Sequence, residues 1–246
     1  MPEASEITKL VLEADQRNHT MLENKKTVDV LQCGPPPQSP HQSLEMLASS
    51  LPERSLARLR AEAISCRKCP LAEQATQVVF GQGSESARVM VIGDQPGGEE
   101  DLLGVPFVGL VGDGLHRALN AAGINRNDLY ITNAVKHFKF RMSGKRRSHE
   151  QLDAQEISTC SVWLESEVAL VDPEVIICLG LKATQKILNT QATLSSLRGR
   201  VFTVDGRKVI PTLHPADVLR IKNVEAATLA FATLVSDLQT AVRVSS

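Results

Sequence analysis

Aromatic side chains make up only 3% of this chain of 246 residues: six Phe, one Tyr and one Trp. At that density each ring is a candidate for a specific contact rather than bulk filling. No run of about 18 or more apolar residues occurs, which argues against a membrane-spanning helix. The start, Met1-Pro2-Glu3, is acidic and lacks an apolar stretch, which argues against a secretory signal. There is no Gly-Lys-Ser/Thr phosphate loop and no dinucleotide fingerprint. An excess of one charge is also missing, since the formal net charge is −1. The positive charge is nevertheless concentrated by position. Residues 136–147 hold Lys136, Lys139, Arg141, Lys145, Arg146 and Arg147 with no acid, and the run closes on Ser148-His149. Such a block reads either as a solvated loop or as a surface that docks a polyanion.

What is present suits one moderate domain with an appendage, because 42% of residues are hydrophobic, enough to bury a core. Residues 1–42 read as a mobile tail ending in the Pro-rich linker around Gly34-Pro35-Pro36-Pro37. Residues 43–246 read as the folded domain. Helices are expected over 44–64 (broken near Pro52, with Ser55 in the cap region), 112–122, 152–170, 181–188 and 224–242. Buried strands are expected over 88–93, 129–135 and 174–179, with a hairpin of 201–204 and 208–213 across Asp205-Gly206. Strands alternating with helices predict a three-layer α/β/α fold with a central, mainly parallel sheet. In such sheets the working loops follow the carboxyl ends of strands, which selects those after Gly93, Thr132 and Leu213.

Each of these loops carries chemistry. Gly93-Asp94-Gln95-Pro96-Gly97-Gly98-Glu99-Glu100-Asp101 predicts a tight turn exposing backbone N–H groups and the Asp94 carboxylate. Its four acids disfavour a phosphate cradle. Asn133 offers one donor and one acceptor on a single amide, the pair needed to read an amide-like base edge. His214 before Pro215 is held extended at a strand end, with Arg220 directed toward a phosphate. The cysteines are Cys33, Cys66, Cys69, Cys160 and Cys178, an odd set that reads as metal or cluster ligation rather than disulfides. Cys66, Cys69 and Cys160 with His137 supply three thiolates and an imidazole. Such a set suits zinc or an iron–sulfur centre. Cys178 reads as a packed hydrophobe.

Taken in order, Cys66-x-x-Cys69, Val79-Phe80-Gly81, Ile92-Gly93-Asp94-Gln95-Pro96-Gly97, Pro106-Phe107-Val108-Gly109, Ile131-Thr132-Asn133-Ala134-Val135-Lys136 and His214-Pro215 resemble the iron–sulfur uracil-DNA glycosylases of family 4. Gln95, the 136–140 segment and the 145–149 insertion are similar to the UdgX subgroup of that family. The resemblance implies excision of uracil from DNA, single-stranded DNA favoured, by a monomeric cytoplasmic protein associated with the nucleoid. It implies a 4Fe–4S cluster on Cys66, Cys69, His137 and Cys160. It also implies that Gly93, Gln95, Phe107, Asn133 and His214 bind the base, and that Lys145, Arg146, Arg147 and Arg220 hold phosphates. Asp94, His214 and His149 are the implied catalytic residues, with His149 trapping the abasic sugar at C1′. Ordinary hydrolytic release, or a binding protein without activity, are the rival expectations. The chain departs from the subgroup at Asp94, where Glu is usual, and at Ser148, where Ile is usual.

Overall fold

The structure is a computed structural model that describes residues 55–245. The expected tail over 1–42, Cys33 and the first half of the 44–64 helix lie outside the described residues. The second half of that helix is α1 (Leu56–Ile64), started by Ser55, whose side chain accepts the Arg58 N–H at 3.2 Å. The strands are β1 (Gln82–Gly83), β2 (Val89–Gly93), β3 (Leu129–Asn133), β4 (Phe140–Ser143), β5 (Arg146–His149), β6 (Val175–Leu179), β7 (Phe202–Val204) and β8 (Arg207–Thr212). The remaining helices are α2 (Leu71–Gln74), α3 (Gly98–Leu103), α4 (Gly109–Ala121), α5 (Ala154–Val171), α6 (Leu181–Leu188), α7 (Leu194–Leu197), α8 (Pro215–Arg220) and α9 (Val224–Val244).

Six strands form one sheet in the order β1-β3-β2-β6-β8-β7. The four central strands run parallel, and β1 and β7 close the edges antiparallel. The side-chain period of two sorts each buried strand between two cores. Met90, Ile92, Ile176, Cys178 and Val209 point to one face, where α1 and α5 cover them through Leu56, Ala63, Trp163 and Leu164. Val91, Ile131, Val175, Ile177 and Ile210 point to the other, under Leu115 and Leu119 of α4 and Leu234 and Leu238 of α9. The result is the expected three-layer α/β/α architecture.

The 201–213 hairpin is observed as β7 and β8. Asp205 (φ 48°) and Gly206 (φ 80°) both take the left-handed conformation a primed turn requires. Helix α5 begins one cap later than expected, at Asp153, whose side chain accepts the Glu156 N–H while Glu156 accepts the Asp153 N–H. The basic segment, by contrast, is not an open loop. It folds as a separate two-stranded hairpin in which Phe140 pairs with His149 and Met142 with Arg147. Gly144 (φ 60°) turns the chain at its tip.

Chain order and sheet order together define the crevice. The chain leaves β2 toward β3 on one side, and leaves β6 toward β8 on the other. The carboxyl ends of β2 and β6 are therefore the switch point, where open α/β sheets bind ligands.

Candidate active site

Register builds the floor of this crevice. Gly93 and Asn133 are partners across β2 and β3, and the two strands end side by side. A Cβ on Gly93 would lie 2.3 Å from Asn133 Oδ1 and 2.6 Å from Phe107 Cζ, so only glycine fits between them. The Phe107 ring lies 5.7 Å from the His214 ring, tilted by 31°. Asn133 is 1% exposed, and neither its Nδ2 nor its Oδ1 has a hydrogen-bond partner. An unpaired buried amide costs free energy unless something else satisfies it, so a ligand edge with matching donor and acceptor is the natural complement.

His214 caps α8, its Nδ1 accepting the Ala216 N–H at 3.1 Å. The neutral ring therefore carries its proton on Nε2, as a free donor. Burial, helped by Arg220 and His149 against the pull of Asp217, pushes its pKa down to about 4, so it stays neutral at physiological pH. A neutral donor can stabilise a developing anion without first giving up its proton.

Asp94 follows β2 directly and lies at the start of α6, where its Oδ1 accepts the Ala183 N–H at 2.7 Å. Gly180 (φ 96°) leaves room for it, since a Cβ there would stand 2.8 Å from the carboxylate. Burial, reinforced by Asp217, pushes the Asp94 carboxyl up to about 6. That places it near the range where a carboxylate exchanges protons at neutral pH.

His149 ends β5. It is exposed, and its ring lies 5.9 Å from that of Phe138. It feels the charges of Arg220 and Asp217, which His214 also feels. Partial desolvation of the ring, then the Arg220 charge, lowers the His149 pKa against the pull of Asp217.

Three expected roles meet a different arrangement. The Gln95 side chain does not face the Asn133 amide. Its Nε2 donates to Glu150 O at 2.6 Å and its Oε1 accepts the Lys139 N–H at 2.7 Å. Glu150 N donates to Lys139 O alongside. The carboxamide thus completes the ladder at the open end of the β4–β5 hairpin, leaving Gln95 only its main chain for a base. Arg147 is not free for phosphate either. It donates to Asp101 Oδ2 at 2.6 Å and Thr76 Oγ1 at 3.2 Å, and its guanidinium lies over Phe138 and Phe140. Arg220 donates to Asp217 Oδ1 at 2.9 Å, whereas Lys145 and Arg146 stand exposed at the hairpin tip. Lys136, the first cation of the run, is 1% exposed and bonded to Glu167 Oε2 at 2.6 Å and Asn133 O at 2.6 Å.

Sequence reasoning also missed residues. Asp101 and Thr76 fasten the hairpin; Glu167 lies seven residues after Cys160 on the buried face of α5, a spacing visible in the sequence. Asp217 falls one helical turn after His214, and Glu100 stands three residues after the Gly97 cap, where capping carboxylates occur.

The four expected ligands come from three segments: Cys66 and Cys69 between α1 and α2, His137 in the loop after β3, and Cys160 on α5. Cys66 and Cys160 are buried and Cys69 is half-buried. Burial pushes the Cys160 thiol up to about 11, with Cys69 and Cys66 adding to the rise, and burial likewise raises Cys69, with Cys66 adding to it. Trp163 Nε1 donates to Cys66 Sγ at 3.3 Å and Lys136 N to Cys160 Sγ at 3.2 Å. His137 is buried with Nδ1 unpaired. Among the described residues no three His, Cys, Asp or Glu side chains converge as the ligands of one ion would. The donor types, soft thiolates and an unpaired imidazole nitrogen, suit zinc or an iron–sulfur centre alike. Cys178, as expected, is buried in the core.

Comparison with known proteins gives a consistent picture. Residues 80–239 match the family model described as the uracil DNA glycosylase superfamily. The chain is 37% identical over 173 residues to a type-4 uracil-DNA glycosylase of Archaeoglobus fulgidus, covering 67% of this chain and 83% of that protein. It is 34% identical over 162 residues to the type-4 enzyme of Thermotoga maritima, covering 65% of this chain and 81% of that one. A type-5 uracil-DNA glycosylase of Pyrobaculum aerophilum is 31% identical over 179 residues, covering 65% and 73%.

Proposed function

The chain belongs to the uracil-DNA glycosylase superfamily, and from that premise we propose that it excises uracil from DNA and then bonds His149 to C1′ of the exposed deoxyribose, as a UdgX-type enzyme. The observation that carries the substrate is the buried, unpaired Asn133 amide beside the Phe107 ring. Uracil presents N3–H and O4 on one edge, which pair with Asn133 Oδ1 and Nδ2. Cytosine reverses both and leaves the amide unsatisfied. The base must leave the stack to reach this depth, which costs least in single-stranded DNA.

As the C1′–N1 bond breaks, its electron pair leaves with uracil, and the negative charge delocalised onto a carbonyl oxygen of the base is met by His214 Nε2–H. The sugar becomes oxocarbenium-like. A deprotonated His149 nitrogen then donates its lone pair to C1′. Its lowered pKa keeps that lone pair available near neutrality. The imidazolium so formed gives up one proton and the uracil anion takes one up, which balances the reaction.

Lys145 and Arg146 hold the flanking phosphates in this reading. Arg147 instead fixes the hairpin, and Arg220 reaches phosphate only by exchanging Asp217 for it. Cys66, Cys69, Cys160 and His137 would hold a 4Fe–4S cluster. Bound there, it would tie the 66–69 segment, the loop after β3 and α5 together. A monomeric, cytoplasmic protein working on the nucleoid completes the proposal. No helix among the described residues is long and apolar enough to cross a membrane.

A second reading is favoured by Asp94. A half-buried carboxyl brought to about 6 is suited to deprotonate a water for hydrolytic release. The test is a denaturing gel and intact-mass measurement on protein mixed with uracil-containing single-stranded DNA. The trapping reading expects a stable adduct mapping to His149, replaced by free uracil and an alkali-labile site in His149→Ala. Multiple turnovers by the native protein with no adduct would establish hydrolysis, and retention of uracil DNA without base release would establish a binding protein. A broad absorbance near about 400 nm would identify iron–sulfur over zinc.

A further inference from the structure

Among the described residues, four other than glycine have positive φ: Phe107, Asp172, Asn189 and Asp205. Asp172 and Asn189 end helices α5 and α6, and Asp205 sits in a hairpin turn, where short polar residues commonly adopt this conformation. Phe107 (φ 53°) is different. A bulky ring in the left-handed region persists only where its surroundings enforce it.

Those surroundings are specific. The buried Glu100 carboxylate accepts two backbone N–H groups, one oxygen taking Gly97 N and the other Phe107 N. On the far side of the same residue, Arg126 Nη2 donates to Phe107 O at 3.2 Å and to Pro106 O at 3.3 Å. Gly112 clears the space around that carbonyl, since a Cβ there would lie 2.0 Å from Phe107 O. The ring itself lies against the bare Cα of Gly93. Glu100 and Arg126 also feel each other's charge across the residue they grip.

We propose that Glu100 and Arg126 are positioning residues for base recognition, clamping the Phe107 main chain from both sides and so fixing the plane on which the flipped base stacks. The inference rests on the uracil-excision reading above, and deepens it. One carboxylate holds both the first-loop turn, through Gly97, and the stacking ring, through Phe107. The two therefore keep a constant separation while the base enters between Phe107 and its surroundings. Two N–H donors need two acceptor oxygens. Glutamine supplies one oxygen and sets an NH₂ against the other donor, so Glu100→Gln opens the clamp with almost no change in volume.

A double-mutant cycle tests this, with single-turnover uracil excision from single-stranded DNA as the readout. Glu100→Gln is expected to slow excision by about 10²-fold, the cost typical of a misplaced contact. Phe107→Ala is expected to slow it at least as much, and the double variant no more than Phe107→Ala alone, because what the clamp sets, the spacing of that ring from the Gly97 turn, no longer matters once the ring is gone. Multiplying losses, or Glu100→Gln within about twofold of the native rate, would overturn the proposal. Should Glu100→Gln not fold, Arg126→Met in the same cycle decides between the same outcomes. Hydrogen exchange at the Phe107 amide gives a reading that needs no substrate: slow in the native protein and at least about tenfold faster in Glu100→Gln. Equal exchange in both would also overturn the clamp. A native protein that releases no uracil but keeps this exchange contrast would sink the substrate reading alone.

Discussion

Asp94→Asn should make this protein more stable at neutral pH while impairing its chemistry. The Asp94 carboxyl is pushed up to about 6 from an ordinary 3.8, chiefly by burial and further by Asp217; the Ala183 N–H and Lys182 favour its charge but do not offset burial. An acid whose pKa is raised on folding binds its proton more tightly in the native state. The associated stability is fully present below pH 3.8 and is lost as pH rises through about 6. At about 1.4 kcal/mol per pH unit, ionised Asp94 costs the fold up to about 3 kcal/mol at pH 7. Asparagine removes the charge and keeps an oxygen for the Ala183 N–H. For a domain of this size that corresponds to a Tm rise of about 5–10 °C at pH 7, shrinking to nothing near pH 4. Thermal melts of both proteins from pH 4 to 8 measure it. A difference that ignores pH, or a destabilised variant at pH 7, would refute the assignment of a strained, functional carboxylate. In a hydrolytic enzyme the same variant should also lose most of its turnover.

Lys136→Met strands the buried Glu167 carboxylate, with a cost of about 3–5 kcal/mol in denaturant melts, and Lys136→Met combined with Glu167→Leu should recover much of it. Arg146 and Arg147 should separate cleanly. Arg146→Ala lowers the salt dependence of single-stranded DNA binding by about 0.7 in log–log slope with Tm unchanged, whereas Arg147→Ala lowers stability by about 1–3 kcal/mol through loss of the Asp101 contact. Gln95→Leu removes the bridge between Lys139 N and Glu150 O. It should keep uracil release but reduce the yield of covalent product, read by gel, because the strand carrying His149 is no longer held. Equal loss of release and adduct would instead place the Gln95 amide at the base.

The layers and the floor of the crevice were legible because they obey periodic rules. The runs at 88–93 and 174–179 alternate between two cores, and parallel pairing brings Gly93 level with Asn133 without further information. Asn133 and His214 follow, since each sits at or just after a strand end, whereas Phe107 lies between two helices and was singled out only by the family resemblance. The basic hairpin was not legible as strands. One face of it carries Phe140 and Met142 from one strand but Arg147 and His149 from the other, with Met142 and His149 exposed, so polarity does not alternate as it does over an apolar core. The only local signal is Gly144 at the turn. Gln95 was unreadable for a related reason. A carboxamide can pair with a base edge or with two main-chain groups, and only the tertiary approach of Lys139 and Glu150 decides which.

The acids of the first loop show what pattern alone misses. Read together, Asp94, Glu100 and Asp101 are a patch that would repel phosphate. In the fold each turns inward to separate partners: Asp94 to the start of α6, Glu100 to the N–H groups of Gly97 and Phe107, Asp101 to Thr76 and Arg147. Their charge is therefore spent on internal donors within about a hydrogen bond's reach, where it counts least against an approaching polyanion. Lys145 and Arg146 are left exposed on a hairpin that Asp101 itself anchors through Arg147. The Asp101 carboxylate, which would oppose DNA as surface charge, instead fixes the hairpin that carries Lys145, Arg146 and His149. Asp101→Asn should accordingly weaken DNA binding even though it removes a negative charge, and tighter binding by that variant would show that the patch acts by repulsion after all.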